Sequence, residues 1–293
     1  MAEWHGKSKG TPLGYKIFVW ICKYIGIRAA YLVLRFVALY FFLFSFKSTA
    51  PIYNYFRWRM RFGFLKSLSK SYQNNYRLGQ TLIDKMVTMA GMKSRFTFHF
   101  DGEENLDKIV EMGKGGILLS AHAGNWEMAG QYLEKINTKI NIVMFDGEHQ
   151  NIKKYLDQLG EKSFNVITIK ENMSHVYEMG AALAKNELIC MHADRFLEGN
   201  KTVSLNFLGE EALFPAGPFL MSAGFNVPVC LVFAFKESDK HYHFYGSDIL
   251  QRFNAESKKD FAQRLAQQYV VDLENKIKEY PEQWFNYYDF WKK

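Results

Sequence analysis

Two textures divide the chain. From Ile17 to Phe46 nearly every position is apolar or aromatic, with Lys23, Arg28 and Arg35 interrupting. Beyond Gly91 short apolar runs alternate with longer amphipathic stretches. The runs Phe96 to Phe100, Ile117 to Ala121, Ile140 to Phe145, Val166 to Ile169 and Leu188 to Ala193 have the length of strands. The stretches 103–112, 124–136, 149–160 and 173–185 between them suit helices. Strand and helix alternating at this spacing predict an α/β domain with a mixed, largely parallel sheet flanked by helices. Val227 to Lys236 and His241 to Tyr245 add an antiparallel pair. A helix from Ser257 to Lys278 leads into a Trp- and Tyr-rich tail. Residues 50–91 read as helical, with no proline after Pro51. The expected organisation is an N-terminal apolar segment over 1–48 and an α/β domain over 49–293, of which 49–91 is a helical lead-in.

Charge sharpens this division. Residues 1–95 carry 16 Lys and Arg against two acids, Glu3 and Asp84, a net of +14, whereas residues 96–293 carry a net of −7. Such asymmetry points to an anionic surface touching the N-terminal third. The apolar run beside it favours lipid over nucleic acid, and no nucleic-acid module is visible. From Ala29 to Phe46 there are 18 residues with Arg35 inside, close to the ~20 that span a bilayer. Two readings stand: one tilted span, or a helix lying in the headgroup layer. The three cysteines, Cys22, Cys190 and Cys230, are far apart and match no CxxC or metal-ligand spacing.

The candidate chemistry lies where the second apolar run stops. Ser120-Ala-His122-Ala-Gly124-Asn125-Trp-Glu127 places an imidazole and a carboxylate five residues apart at a strand-to-helix corner. In open α/β sheets such carboxyl ends hold the sites. A histidine steadied by a carboxylate is fixed in tautomer and becomes a better base. A second run ends in His192-Ala-Asp194-Arg195 and would bring polar groups to the same edge. Two readings of Asp194 and Arg195 remain open: contacts to a substrate phosphate or carrier, or a local ion pair. The Gly- and Pro-rich block from Phe207 to Pro228 predicts a tight loop opening a short helix, with Gly217 a candidate for lining a substrate groove. No GxSxG elbow or phosphate loop occurs. His241-Tyr-His243 offers two imidazoles on one strand face without an apparent third ligand, so no metal site is expected.

Taken together and in order, these pieces make the chain resemble the lipid A biosynthesis (late, or secondary) acyltransferases of the lysophospholipid acyltransferase superfamily. The likeness rests on the His-X4-Glu signature of His122 and Glu127, the Asp194-Arg195 step, the Phe-Leu-Gly…Phe-Pro-Ala-Gly-Pro block, Val227-Pro228, and Tyr280-Pro-Glu-Gln-Trp-Phe285. The resemblance implies a glycerolipid-acyltransferase-like fold on the cytoplasmic face of a bacterial inner membrane. It implies transfer of a fatty acyl chain from acyl carrier protein, or acyl-CoA, to a hydroxyl of a membrane lipid acceptor. His122 would then be the general base oriented by Glu127. Asn125, Asp194, Arg195 and Gly217 would contact substrate, and the amides of Gly124 and Asn125 would form an oxyanion site. No cofactor or metal is implied, since the thioester brings its own activation. His192-Ala-Asp-Arg replaces the Asp-Gln-Asp type of sequence found in many members, which leaves the acceptor open. A thioesterase or lipid esterase using the same pair, and a non-catalytic membrane-binding protein, are the competing readings.

Overall fold

The computed structural model describes residues 11–92, 96–125, 128, 138–144, 164–170, 172–196 and 199–291. The helices expected over 124–136 and 149–160 lie outside these residues apart from Gly124, Asn125 and Met128, and so do Phe145 and Glu127. Each expected strand forms: β1 Thr97–Asp101, β2 Gly116–Ser120, β3 Ile140–Met144, β4 Asn165–Thr168 and β5 Leu188–His192. A hairpin of β6 Thr202–Phe207 and β7 Glu210–Pro215 follows, then β8 Val229–Lys236 and β9 His241–Gly246. Seven of them make one sheet in the order β1-β9-β8-β2-β5-β3-β4, parallel except where β8 meets β9. Every residue of β2 is buried, which is why it reads as an uninterrupted apolar run. β9 instead alternates, with Tyr242 and Phe244 inward.

The β6–β7 hairpin stands at the start of the block expected to form a tight loop opening a short helix. Its turn uses Leu208 and Gly209, both at positive φ (52° and 83°), as a two-residue hairpin turn requires. Leucine is not a residue that advertises such a turn.

Eight helices are described. Four precede the sheet: α1 Pro12–Tyr24, α2 Ile27–Phe44, α3 Phe46–Asn54 and α4 Phe64–Met89. Four are interleaved with it or follow it: α5 Glu103–Glu111, α6 Ser174–Leu183, α7 Ala216–Phe225 and α8 Lys258–Glu279. The apolar run read as one segment is broken at Gly26, whose φ of 125° is incompatible with a continuous helix and separates α1 from α2. The lead-in is likewise interrupted, by a π-helical turn over Tyr55–Arg59 and by Gly63.

One face of α2, formed by Ile27, Ala30, Tyr31, Leu34 and Ala38, is buried at helical spacing. It packs with Ile83, Met86 and Val87 of α4 and with Tyr242 and Phe244 of the sheet. Gly79 lets the two helices approach, because a Cβ there would sit 2.4 Å from a Leu34 methyl. The other face of α2 is apolar and exposed, with Phe36 70% and Phe44 67% accessible.

A charged pair lies inside this junction. Lys236 Nζ, at the end of β8, donates to Asp84 Oδ2 of α4 at 2.6 Å, and both side chains are fully buried. The hydroxyls of Tyr31 and Tyr242 also donate to the Asp84 carboxylate, and Lys236 reaches the Asp239 carbonyl at 2.9 Å. Burial pushes the Asp84 carboxyl up and the Lys236 ammonium down, each opposed by the attraction between them.

Candidate active site

β2 and β5 carry the chemistry to one edge of the sheet. They run parallel with Ser120 opposite His192, and the Ala193 N–H donates to the Ser120 carbonyl just past that rung. Two residues beyond it on each strand, His122 therefore meets Asp194. His122 Nδ1 lies 2.7 Å from Asp194 Oδ1, and the His122 main-chain N–H donates to Oδ2 at 2.9 Å. A carboxylate only accepts, so Nδ1 carries the imidazole proton and Nε2 presents its lone pair. On that side stands His192, whose Nδ1 is 3.3 Å from His122 Nε2, with the ring centres 4.3 Å apart. Asp194 is 1% exposed, whereas 26% of the His122 side chain reaches solvent.

The electrostatics favour a neutral base beside a fixed anion. Burial, assisted by the Arg195 guanidinium, lowers the His122 imidazole from its ordinary 6.5, with Asp194 opposing. His192 is lowered further, by burial and by its proximity to His122. Burial alone would raise Asp194. The His122 imidazole and its hydrogen bond, with Arg195, more than offset that and hold the carboxyl well below its usual range.

Gly124 makes the corner after β2 possible. Its φ is +66°, and a Cβ there would sit 1.9 Å from the Ala234 carbonyl oxygen, so no other residue fits. Its N–H donates to the Gln283 carbonyl, and the Asn125 N–H to the Ala234 carbonyl, both at 2.7 Å. The two amides expected to form the oxyanion site thus each have a main-chain acceptor at short range. Asn125 is buried and donates through Nδ2 to the Thr81 carbonyl at 3.2 Å and the Tyr242 hydroxyl at 3.3 Å. It thereby links the corner to the Asp84–Lys236 pair.

Of the expected site residues, the structure brings His122, Asp194 and Arg195 together and adds His192. Arg195 is half-buried and donates to the Phe285 carbonyl. Gly217 lies on another element, in the first turn of α7.

The C-terminal tail forms a wall that sequence reasoning had not placed. Trp284 bridges Ala123 antiparallel, and the Phe285 N–H donates to the His122 carbonyl at 2.9 Å. The Gln283 side chain grips both the N–H and the carbonyl of Lys236 at 2.9 Å. The Tyr288 hydroxyl reaches the Asp194 carbonyl at 3.4 Å. The only sequence signal was the run from Tyr280 to Phe285, which carries no periodicity of its own.

Known proteins are similar to this chain to different extents. Residues 73–293 match the family described as bacterial lipid A biosynthesis acyltransferase. The phosphatidylinositol mannoside acyltransferase of Mycobacterium tuberculosis is 27% identical over 119 residues, 40% of this chain and 37% of that protein. The protein of the same description from Mycolicibacterium smegmatis is 29% identical over 120 residues, 39% of this chain and 38% of its own length. These alignments thus span less than two-fifths of the curated relatives. Among solved structures, the 1-acyl-sn-glycerophosphate acyltransferase PlsC of Thermotoga maritima aligns over 85% of this chain and 97% of its own, with 11% identity and a TM-score of 0.39. The family match covers most of the chain, including β2, β5 and the tail around His122. The chain belongs to the bacterial lipid A biosynthesis acyltransferase family.

Proposed function

We propose that this protein is a membrane-surface O-acyltransferase that moves a fatty acyl group from a carrier thioester to a lipid hydroxyl. The observation that carries the reading is the His122 imidazole, clamped through Nδ1 by Asp194 at the carboxyl edge of β2. With Nδ1 protonated, Nε2 is the base. The acceptor hydroxyl approaches Nε2 alongside His192 and gives up its proton there. Its oxygen bonds to the thioester carbonyl carbon, the C–S bond breaks, and the proton passes from Nε2 to the departing thiolate. Asp194 stabilises the imidazolium between those steps. Glu127, the other half of the His-X4-Glu signature, is proposed as a second carboxylate of the site. The donor is an acyl carrier protein or coenzyme A thioester, and the acceptor a lipid A precursor or related glycolipid.

An assay of thiol release by the purified chain, with and without lipid acceptor, tests this directly. Release is expected to require acceptor; equal release without it would replace the transferase with a thioesterase. The pH profile carries a second expectation. Only neutral His122 can act as base, and its pKa is lowered. Activity should therefore persist as pH falls through 6.5, with the acid limb of kcat/KM lying below that value. An acid limb above 6.5 would contradict a base whose pKa its surroundings lower.

We place the enzyme on the cytoplasmic face of the inner membrane, lying in the headgroup layer rather than across the bilayer. α2 is one helix among the described residues long and apolar enough to span, with mean hydropathy 1.8. Its Tyr31 face, however, is committed to Asp84 and α4. The exposed face, including Leu32, Phe36 and Leu43, is left for lipid. Lys23, Arg28, Arg57 and Lys66 would meet the anionic headgroups. Substituting Leu32, Phe36 and Leu43 by Ser should weaken binding to anionic vesicles by at least about tenfold per residue while the chain stays folded. Unchanged sedimentation with vesicles would sink this placement.

A further inference from the structure

The outer face of the β1–β9 pair carries a second histidine cluster, on strands separated from β2 by β8. Parallel register sets Thr97 beside His241, His99 beside His243 and Asp101 beside Tyr245. Because side chains alternate along a strand, all six share one face, while Phe98, Phe100, Tyr242 and Phe244 point into the core. The Asp101 carboxylate stands between two imidazoles: His99 Nε2 is 3.1 Å from one oxygen and His243 Nε2 3.0 Å from the other. One ligand atom from each of the three residues falls within 4.8 Å of the others. Ligands around a tetrahedral ion with bonds of about 2.0–2.2 Å sit roughly 3.3–3.6 Å apart, so the cluster needs only small shifts to close on one.

His243 is also held from behind. Its Nδ1 faces Glu237 Oε1 at 3.0 Å, and the Tyr245 hydroxyl lies 2.9 Å from the same nitrogen. The side of the ring away from Asp101 is thus held by Glu237 and Tyr245, which fixes the direction in which Nε2 points toward the Asp101 carboxylate. A carboxylate behind a ligating histidine is also the usual outer support of a metal site.

We propose that His99, Asp101 and His243, backed by Glu237, bind a divalent ion of the Zn²⁺ class and pin edge strand β1 to β9. Two imidazoles and one carboxylate suit zinc rather than magnesium or calcium, which prefer all-oxygen sets. His99 is 61% exposed and His243 16%, so an ion can enter and the inner ligand is held in place. The His241-His243 pair looked incomplete in sequence because its partners arrive from a strand some 140 residues earlier.

The test uses tag-free full-length protein stripped with chelator. Co²⁺ titrated in should give visible d–d bands at one ion per chain, displaced by Zn²⁺, and Zn²⁺ should raise the Tm. His99→Gln and His243→Gln should abolish the bands and the Tm shift. Glu237→Gln should weaken binding about 10-fold or more, and His192→Gln, at the other histidine pair, should leave it intact. The proposal is overturned if saturable binding is absent below millimolar ion, since the cluster is then a set of surface ion pairs only. Bands that survive His243→Gln but vanish in His192→Gln would equally overturn it.

Discussion

Replacing His122 by alanine is expected to lower acyl transfer by about 100- to 10,000-fold, the range that a positioned general base contributes, in a protein that still folds. The fold should survive because the main-chain bonds of residue 122 do not involve the ring. Its N–H still donates to Asp194, and its carbonyl still accepts from Phe285. The stability lost is that of one hydrogen bond to a charged partner, about 1.5–3 kcal/mol. Asp194→Asn is the informative companion, since it keeps the shape but no longer stabilises an imidazolium. Comparing it with Glu127→Gln measures which carboxylate the imidazole depends on. Turnover by folded His122→Ala at the native rate would leave the proposed chemistry without its base.

Lys236→Met should cost about 3–5 kcal/mol of stability, because it strands the Asp84 carboxylate in the interior without its cation. Asp84→Ala should cost a similar amount by stranding the ammonium. The loss is read as a lower midpoint in chemical denaturation. Replacing both partners with apolar residues should cost less than the sum of the two single changes, since no buried charge then remains unpaired. The pair also ties distant parts together. Tyr31 brings α2 to Asp84, Tyr242 brings β9, and Asn125 connects Tyr242 to the corner after β2. A single variant should therefore loosen both the N-terminal helix and the His122 corner, visible as faster amide exchange in both. A denaturation midpoint unmoved by Lys236→Met would show that the pair contributes nothing net.

How much was legible before folding follows from burial. β2 and β5 were readable because both faces of each strand are covered, which leaves a run of apolar residues ending abruptly in polar ones. The ends of those runs named His122, Asp194 and Arg195 in advance. The β6–β7 hairpin was not readable, since its exposed positions give no core signal and Leu208 hides the turn. The break at Gly26 was masked by apolar residues on both sides of it.

Local composition determined the α/β class, the apolar basic N-terminal third, and the residues that end at the carboxyl edge of the sheet, because strand length and burial write themselves into neighbouring residues. Tertiary structure alone decided the partners: Asp194 on His122 Nδ1, His192 on Nε2, Lys236 on Asp84, and Gln283 on the amide of Gly124 as its main-chain acceptor. Each contact joins residues at least 70 positions apart, and strand register and tail docking, which no local pattern encodes, set which atoms meet.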